Sequence, residues 1–185
     1  MATQTRIPTA DQTDGSFTRS DTGTNTDLYS VVADANDTTY ILRAGGTSNC
    51  LFAFTAFDAP GASDTINYVR VRVRAQNNGV GSNSASGRIQ VNGTAYNATA
   101  QNLTSSWVNY DFDWATNPNT GIAWTVDDVK GTGAAPLQYV GWSLTGVGGS
   151  EEARAAEIEI TVDYTPAAGG SSIVVIVGMM NRQRA

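Results

Sequence analysis

The feature that most constrains this chain is its rhythm. Short runs of alternating apolar and polar residues recur about every ten residues, separated by clusters of Gly, Asn, Asp and Ser. A period of two suits a half-buried strand, and many short strands at that spacing suit a sandwich or barrel. Helical periodicity is almost absent, so the expected fold is all-β: a jelly-roll-like antiparallel β-sandwich with extended N- and C-terminal arms. Strands are expected over 28–34, 38–43, 50–57, 65–76, 87–91, 94–100, 106–114, 137–147 and 153–164. The divisions are a polar arm (1–27), the sandwich (28–164), and a linker with a hydrophobic tail (165–185).

Two strands alternate cleanly enough to assign their faces. Val69, Val71 and Val73 oppose Arg70, Arg72 and Arg74, while Ala156, Ile158, Ile160, Val162 and Tyr164 oppose Glu157, Glu159, Thr161 and Asp163. Three arginines on one face repel unless an acidic strand lies beside them, so the two segments are expected to be antiparallel neighbours. A phosphate-binding strip is the weaker reading, because no aromatic residue interleaves with the arginines. Asn92-Gly93 predicts a two-residue hairpin, since a type I′ turn needs positive φ at both central positions. Residues 76–87 read as a loop.

Charge and residue inventory then narrow the chemistry. Eleven Lys and Arg against 17 Asp and Glu give a net charge of −6, which argues against a chain-wide nucleic-acid surface. No histidine is present, so the commonest general base and metal ligand is missing. The carboxylate pairs Asp111/Asp113, Asp127/Asp128 and Glu151/Glu152 read as a solvent-facing strand, a helix first turn and a polar loop rather than a glycosidase pair. Cys50, in an apolar run, reads as a buried thiol. No catalytic residue, metal set or cofactor is expected. The N-terminal segment holds no apolar stretch, so neither a secretory signal nor a membrane anchor is expected.

The segment "LTSSWVNYDFDWATNPNTGIAWTVDDVK" (103–130) is the most legible block. Val108, Tyr110, Phe112 and Trp114 form the core face of a strand, with Trp107, Asn109, Asp111 and Asp113 opposite. Pro118 and Gly121 mark a turn, and Thr125 followed by Asp128 predicts an N-capped helical turn pinned by Trp124, Val126 and Val129. With "LQYVGW" downstream and "ANDTTYILR" (35–43) and "YVRVRVRAQ" upstream, this block resembles a pattern found in tailed-bacteriophage virion structural proteins with a jelly-roll-like sandwich. The resemblance spans 28–164 loosely and 103–142 well. It implies a non-enzymatic virion protein, attached to capsid or tail and assembled in the bacterial cytoplasm, with no catalytic residues to carry over.

The tail is not part of that pattern. Ile173, Val174, Val175, Ile176, Val177, Met179 and Met180 follow a Gly-Gly-Ser-Ser hinge and precede Arg182 and Arg184. Eight residues are too few to span a bilayer, which takes about 20. A non-alternating β-branched run reads as a strand covered on both faces, either in its own chain or in a neighbour's sheet, with the arginines meeting acidic surface there. The polar N-terminal arm, with few apolar anchors, is expected to order only on a partner. The expected role is a capsid decoration or cement protein, or another head-associated protein, anchored through its termini. Its partners would be other virion proteins or neighbouring copies; a homo-oligomer such as a trimer is expected, with no direct nucleic acid and no membrane. The alternative is a carbohydrate-binding module of a tail fibre or surface adhesin, with Trp107 and Trp142 as the candidate glycan contacts.

Overall fold

A computed structural model describes residues 1–79 and 83–168, with side chains left out over 146–151. In chain order the elements are β1 (Ala2–Arg6), β2 (Pro8–Thr13), β3 (Thr18–Arg19), α1 (Tyr29–Val32), β4 (Ile41–Phe54), β5 (Thr65–Asn78) and β6 (Ser84–Val91). There follow β7 (Thr94–Asn97), β8 (Gln101–Asn102), β9 (Val108–Trp114), α2 (Val126–Val129) and β10 (Leu137–Thr165). Every strand pair among the described residues is antiparallel.

The sandwich arises because β10 serves two layers. Its first stretch, from Leu137, pairs β6 on one side and β4 on the other; from Glu152 it pairs β5, keeps β4 as far as Ala155, and takes β1 over 160–164. The first layer is therefore β9, β5, the second half of β10, and β1; the second is β7, β6, the first half of β10, β4 and β2. Val69, Val71, Val73, Ile158, Ile160 and Val162 line the inner face of the first layer, facing Phe52, Ile89, Val140, Trp142 and Leu144 of the second. The layers touch so closely at Gly87 that a Cβ there would lie 2.8 Å from the Phe112 side chain. Only glycine fits that crossing.

The expected pairing of basic and acidic strands is present: Arg70, Arg72 and Arg74 lie opposite Thr161, Glu159 and Glu157. One detail differs. A bulge between Ala155 and Glu157 inserts Ala156, so Ala153 and Ala155 face the core before it and Ile158 onwards after it. Asn92 and Gly93 take φ of 50° and 77° and close the β6–β7 hairpin. Loop 76–87 is shorter than expected, because β5 runs on to Asn78 and β6 starts at Ser84.

Two expectations are corrected. Residues 28–34 hold the short helix α1, not a strand: Leu28, Val31 and Val32 are spaced for one helical face and all three are buried. No residue next to α1 caps it; Asp11 does, accepting from the backbone N–H of Leu28 (2.9 Å) and Tyr29 (2.8 Å). The N-terminal segment is not a free arm either. β1 adds a strand beside β10, with Gln4 opposite Val162, and β2 pairs β4. A polar strand needs little apolar area when it completes a ladder, and Phe17, fully buried 5.8 Å from the Trp142 ring, supplies the anchor.

Candidate functional site

The outer face of the first layer is a ladder of charge. Arg70 donates through Nε and Nη2 to Asp113 (2.6 and 2.7 Å), Arg72 through the same two atoms to Asp111 (2.7 and 3.0 Å), and Arg74 likewise to Asp37 (2.6 Å each). These are side-on forks, the geometry in which guanidinium and carboxylate fit best. Arg72 also reaches Glu159 at 3.3 Å and Arg70 reaches Asp111 at 3.1 Å, so acids from both neighbouring strands flank the stripe. The Arg72 fork holds Asp111 below the ordinary carboxylate range, and the Arg74 fork does the same for Asp37. Glu159 moves the other way: burial pushes its carboxyl up, and neighbouring Glu157 adds to the shift.

At one end of this face two aromatic rings meet. Trp107 is half-buried and lies 5.7 Å from the Tyr40 ring at 55°, while the Arg154 guanidinium sits 4.8 Å over the other aromatic, Tyr40. Glu152 accepts from Arg154 Nε at 3.0 Å and from Asn78 at 3.3 Å, which holds its carboxyl low. A tilted aromatic pair beside charged hydrogen-bonding groups is a surface on which a sugar ring can stack. The pairing of Trp107 with Trp142 is corrected: Trp142 is fully buried in the core, so it offers no surface to a glycan. Its neighbours Val140 and Leu144 share its inward face, and that alternation was visible in the sequence.

Of the pair Asp127/Asp128, Asp128 is the one whose carboxylate has structural partners. Thr125 and Asp128 form the expected capping box of α2. Asp128, 6% exposed, also accepts from Ala135 N at 3.2 Å and from Asn117 Nδ2 at 3.3 Å. Asn117 is fully buried and ties the turn through its amide, which donates to the Ala135 carbonyl at 3.1 Å. Trp124 donates from Nε1 to the Trp114 carbonyl at 2.9 Å. Burial pushes the Cys50 thiol up to about 12, so it is a packing residue. Among the described residues no three His, Cys, Asp or Glu side chains are placed to hold a metal. The Glu151 side chain and the whole tail, Ile173 to Arg184, lie outside the described residues.

The outer face of the second layer carries Arg88, which sequence reading passed over. Its register neighbours are Asn97 on β7 and Gly141 on β10. Nη1 donates to Asn97 Oδ1 at 2.7 Å, and Asn97 Nδ2 in turn reaches Ser143 Oγ at 3.4 Å. Arg88 Nε is shielded from water and has no acceptor, and no carboxylate among the described residues pairs with this guanidinium. Burial pulls its pKa below the ordinary arginine value.

No family model and no curated protein matches this sequence. Among solved structures it is similar to the CBM22-1–GH10 modules of the Clostridium thermocellum endo-1,4-β-D-xylanase 10B, complexed with xylohexaose, at 10% identity and a TM-score of 0.41. The match covers 85% of this chain and 28% of that one.

Proposed function

We propose that this chain is a non-catalytic structural module of a bacteriophage virion, decorating or cementing the shell it sits on. The observation that carries the reading is the fate of the carboxylates. Asp111, Asp113, Asp37 and Asp128, the groups a hydrolase would draw on, are each engaged in holding strands or turns together. Such a surface favours a rigid, durable shell component. The resemblance of 103–142 to virion sandwiches supports the same reading, and the hydrophobic tail with Arg182 and Arg184 is the proposed anchor. Many copies held by weak contacts reinforce a shell through multivalency.

The test is to truncate the chain after residue 167 and mix it with undecorated particles. The truncated protein is expected to fold but to bind particles poorly; equal loading by both forms would remove the anchor from the proposal. A second reading, a glycan-binding module, is favoured by the Tyr40–Trp107 corner. On a glycan array Trp107→Ala is expected to lose any signal that depends on that corner, and a signal unchanged by the substitution would eliminate it.

A further inference from the structure

We propose that Asn78 is a site of spontaneous covalent modification, its side-chain amide turning into a carboxylate through attack by the backbone nitrogen of Gly79. The proposal is independent of the virion reading and of the glycan reading of the Tyr40–Trp107 corner.

The sequence holds two Asn-Gly pairs, Asn78-Gly79 and Asn92-Gly93. Glycine after asparagine is the pairing most open to this chemistry, because no Cβ hinders the approach of its nitrogen to the asparagine Cγ. All four residues are exposed, so access to water does not separate the two sites. The backbone does. Asn92 and Gly93 are held in the β6–β7 turn, Asn92 N–H donating to the Pro136 carbonyl (2.9 Å) and Gly93 N–H to Gln138 Oε1 (2.6 Å). The nitrogen that would attack there is already engaged. Asn78, by contrast, is the last residue of β5, and the Gly79 N–H that follows it has no acceptor among the described residues. The Asn78 side chain is tethered by one long bond, from Nδ2 to Glu152 Oε2 at 3.3 Å.

Water is the only co-reactant the conversion needs. Gly79 N gives up its proton and bonds to Asn78 Cγ; the carboxamide C–N bond breaks, and ammonia leaves with that proton to close a cyclic imide. Water then opens one C–N bond of the imide, giving aspartate or isoaspartate, and nothing is oxidised or reduced. Either product puts a carboxylate opposite Glu152 on β10, where a donor had been. Like charges directly across a ladder destabilise the pair. Glu152 is also the acceptor of Arg154, whose guanidinium lies 4.8 Å over the Tyr40 ring, so the new charge acts beside the aromatic corner.

The test is to incubate the full chain at mildly alkaline pH and follow each peptide by mass spectrometry. The mass gain of an amide turned acid is expected at Asn78, faster at higher pH. Asn92 is expected to lag by about fivefold or more, the cost of releasing one hydrogen bond from Gly93 N–H. Gln138→Ala is expected to shorten that lag, and Gly79→Val, with a β-branched side chain beside the attacking nitrogen, to hold Asn78 as the amide. Asn78→Asp is expected to melt about 1–3 °C below the parent chain, and the same melts confirm that each variant folds. The proposal is overturned if Asn92 converts as fast as Asn78, or if Gly79→Val converts as fast as the parent chain. It is overturned equally if Asn78 stays an amide in the folded chain while a synthetic peptide spanning 74–81 converts. A Gln138→Ala chain in which Asn92 lags as before would overturn the protection assigned to that hydrogen bond.

Discussion

The two outer faces of the sandwich treat arginine in opposite ways. On the first layer, Arg70, Arg72 and Arg74 sit between an Asp strand and a Glu strand, and each guanidinium closes on a carboxylate. On the second, Arg88 sits among Gly141, Ser143 and Asn97 and closes on none. The same side chain thus holds strands together in one place and is left with an unfilled edge in the other. For Arg70 and Arg72 what differs is the neighbouring strand, while Arg74 takes its carboxylate from Asp37, ahead of β4. Beside an acidic strand an arginine closes on a carboxylate, and beside a neutral one Arg88 keeps only the Asn97 amide, with its Nε buried and unpaired.

Four substitutions test that contrast. The largest effect is expected at Gly87, which holds the two layers in register: Gly87→Ala drives a Cβ into Phe112 and is expected to cost about 1–3 kcal/mol by denaturant unfolding. A change under half that would mean the layers are loosely joined. Next, Asp111→Ala strips Arg72 of its fork and Arg70 of a second acid; the group is about one-third exposed, so the expected loss is about 1 kcal/mol. That loss has a definite pH dependence. Asp111 and Asp37 titrate below their unfolded values, so their contribution is full above the unfolded carboxylate pKa of about 3.9 and disappears as pH falls through the lower folded values. An acid titration of the melting temperature should therefore flatten in this region for the variant.

Smaller effects separate the two faces most sharply. Arg88→Met removes a guanidinium that has no carboxylate to lose, so stability is expected to change by no more than about 0.5 kcal/mol, or to rise. A loss comparable to that of Asp111→Ala would show that Arg88 is a structural residue after all. Smallest is Glu159→Gln. Burial raises the Glu159 pKa, so its contribution is present below the unfolded value of about 4.3 and is lost as pH rises through the folded value. At neutral pH the amide is expected to lie within about 0.5 kcal/mol of the parent chain, the Arg72 contact offsetting the relief of desolvation.

The first layer was legible in the sequence because its signals are local. The Val/Arg and Ile/Glu alternation sets faces, and opposite stripes of charge set neighbours; Asn92-Gly93 and the Thr125–Asp128 box carry their geometry in a few adjacent residues. What was missed depends on distant partners. α1 takes its cap from Asp11, 17 residues before Leu28, and β1 needs only the edge of β10 beside it. Arg88 looks like any strand arginine until the strands on either side are known to carry Asn97 and Gly141. Trp142 is fully buried, as its alternation with Val140 and Leu144 and the ordinary burial of a large aromatic favour.

The antiparallel seam between β1 and β10 has a mechanical consequence. Ala2 lies opposite Tyr164, and the ladder runs from there to Arg6 opposite Ile160. Tension drawn between Ala2 and Tyr164 loads the rungs one at a time, as in a zip. Tension drawn between Ala2 on β1 and the Leu137 end of β10 pulls the two strands past each other and loads the rungs together, as in a glued lap joint. The molecule is therefore weak to peeling at that corner and strong to shear along its longest strand.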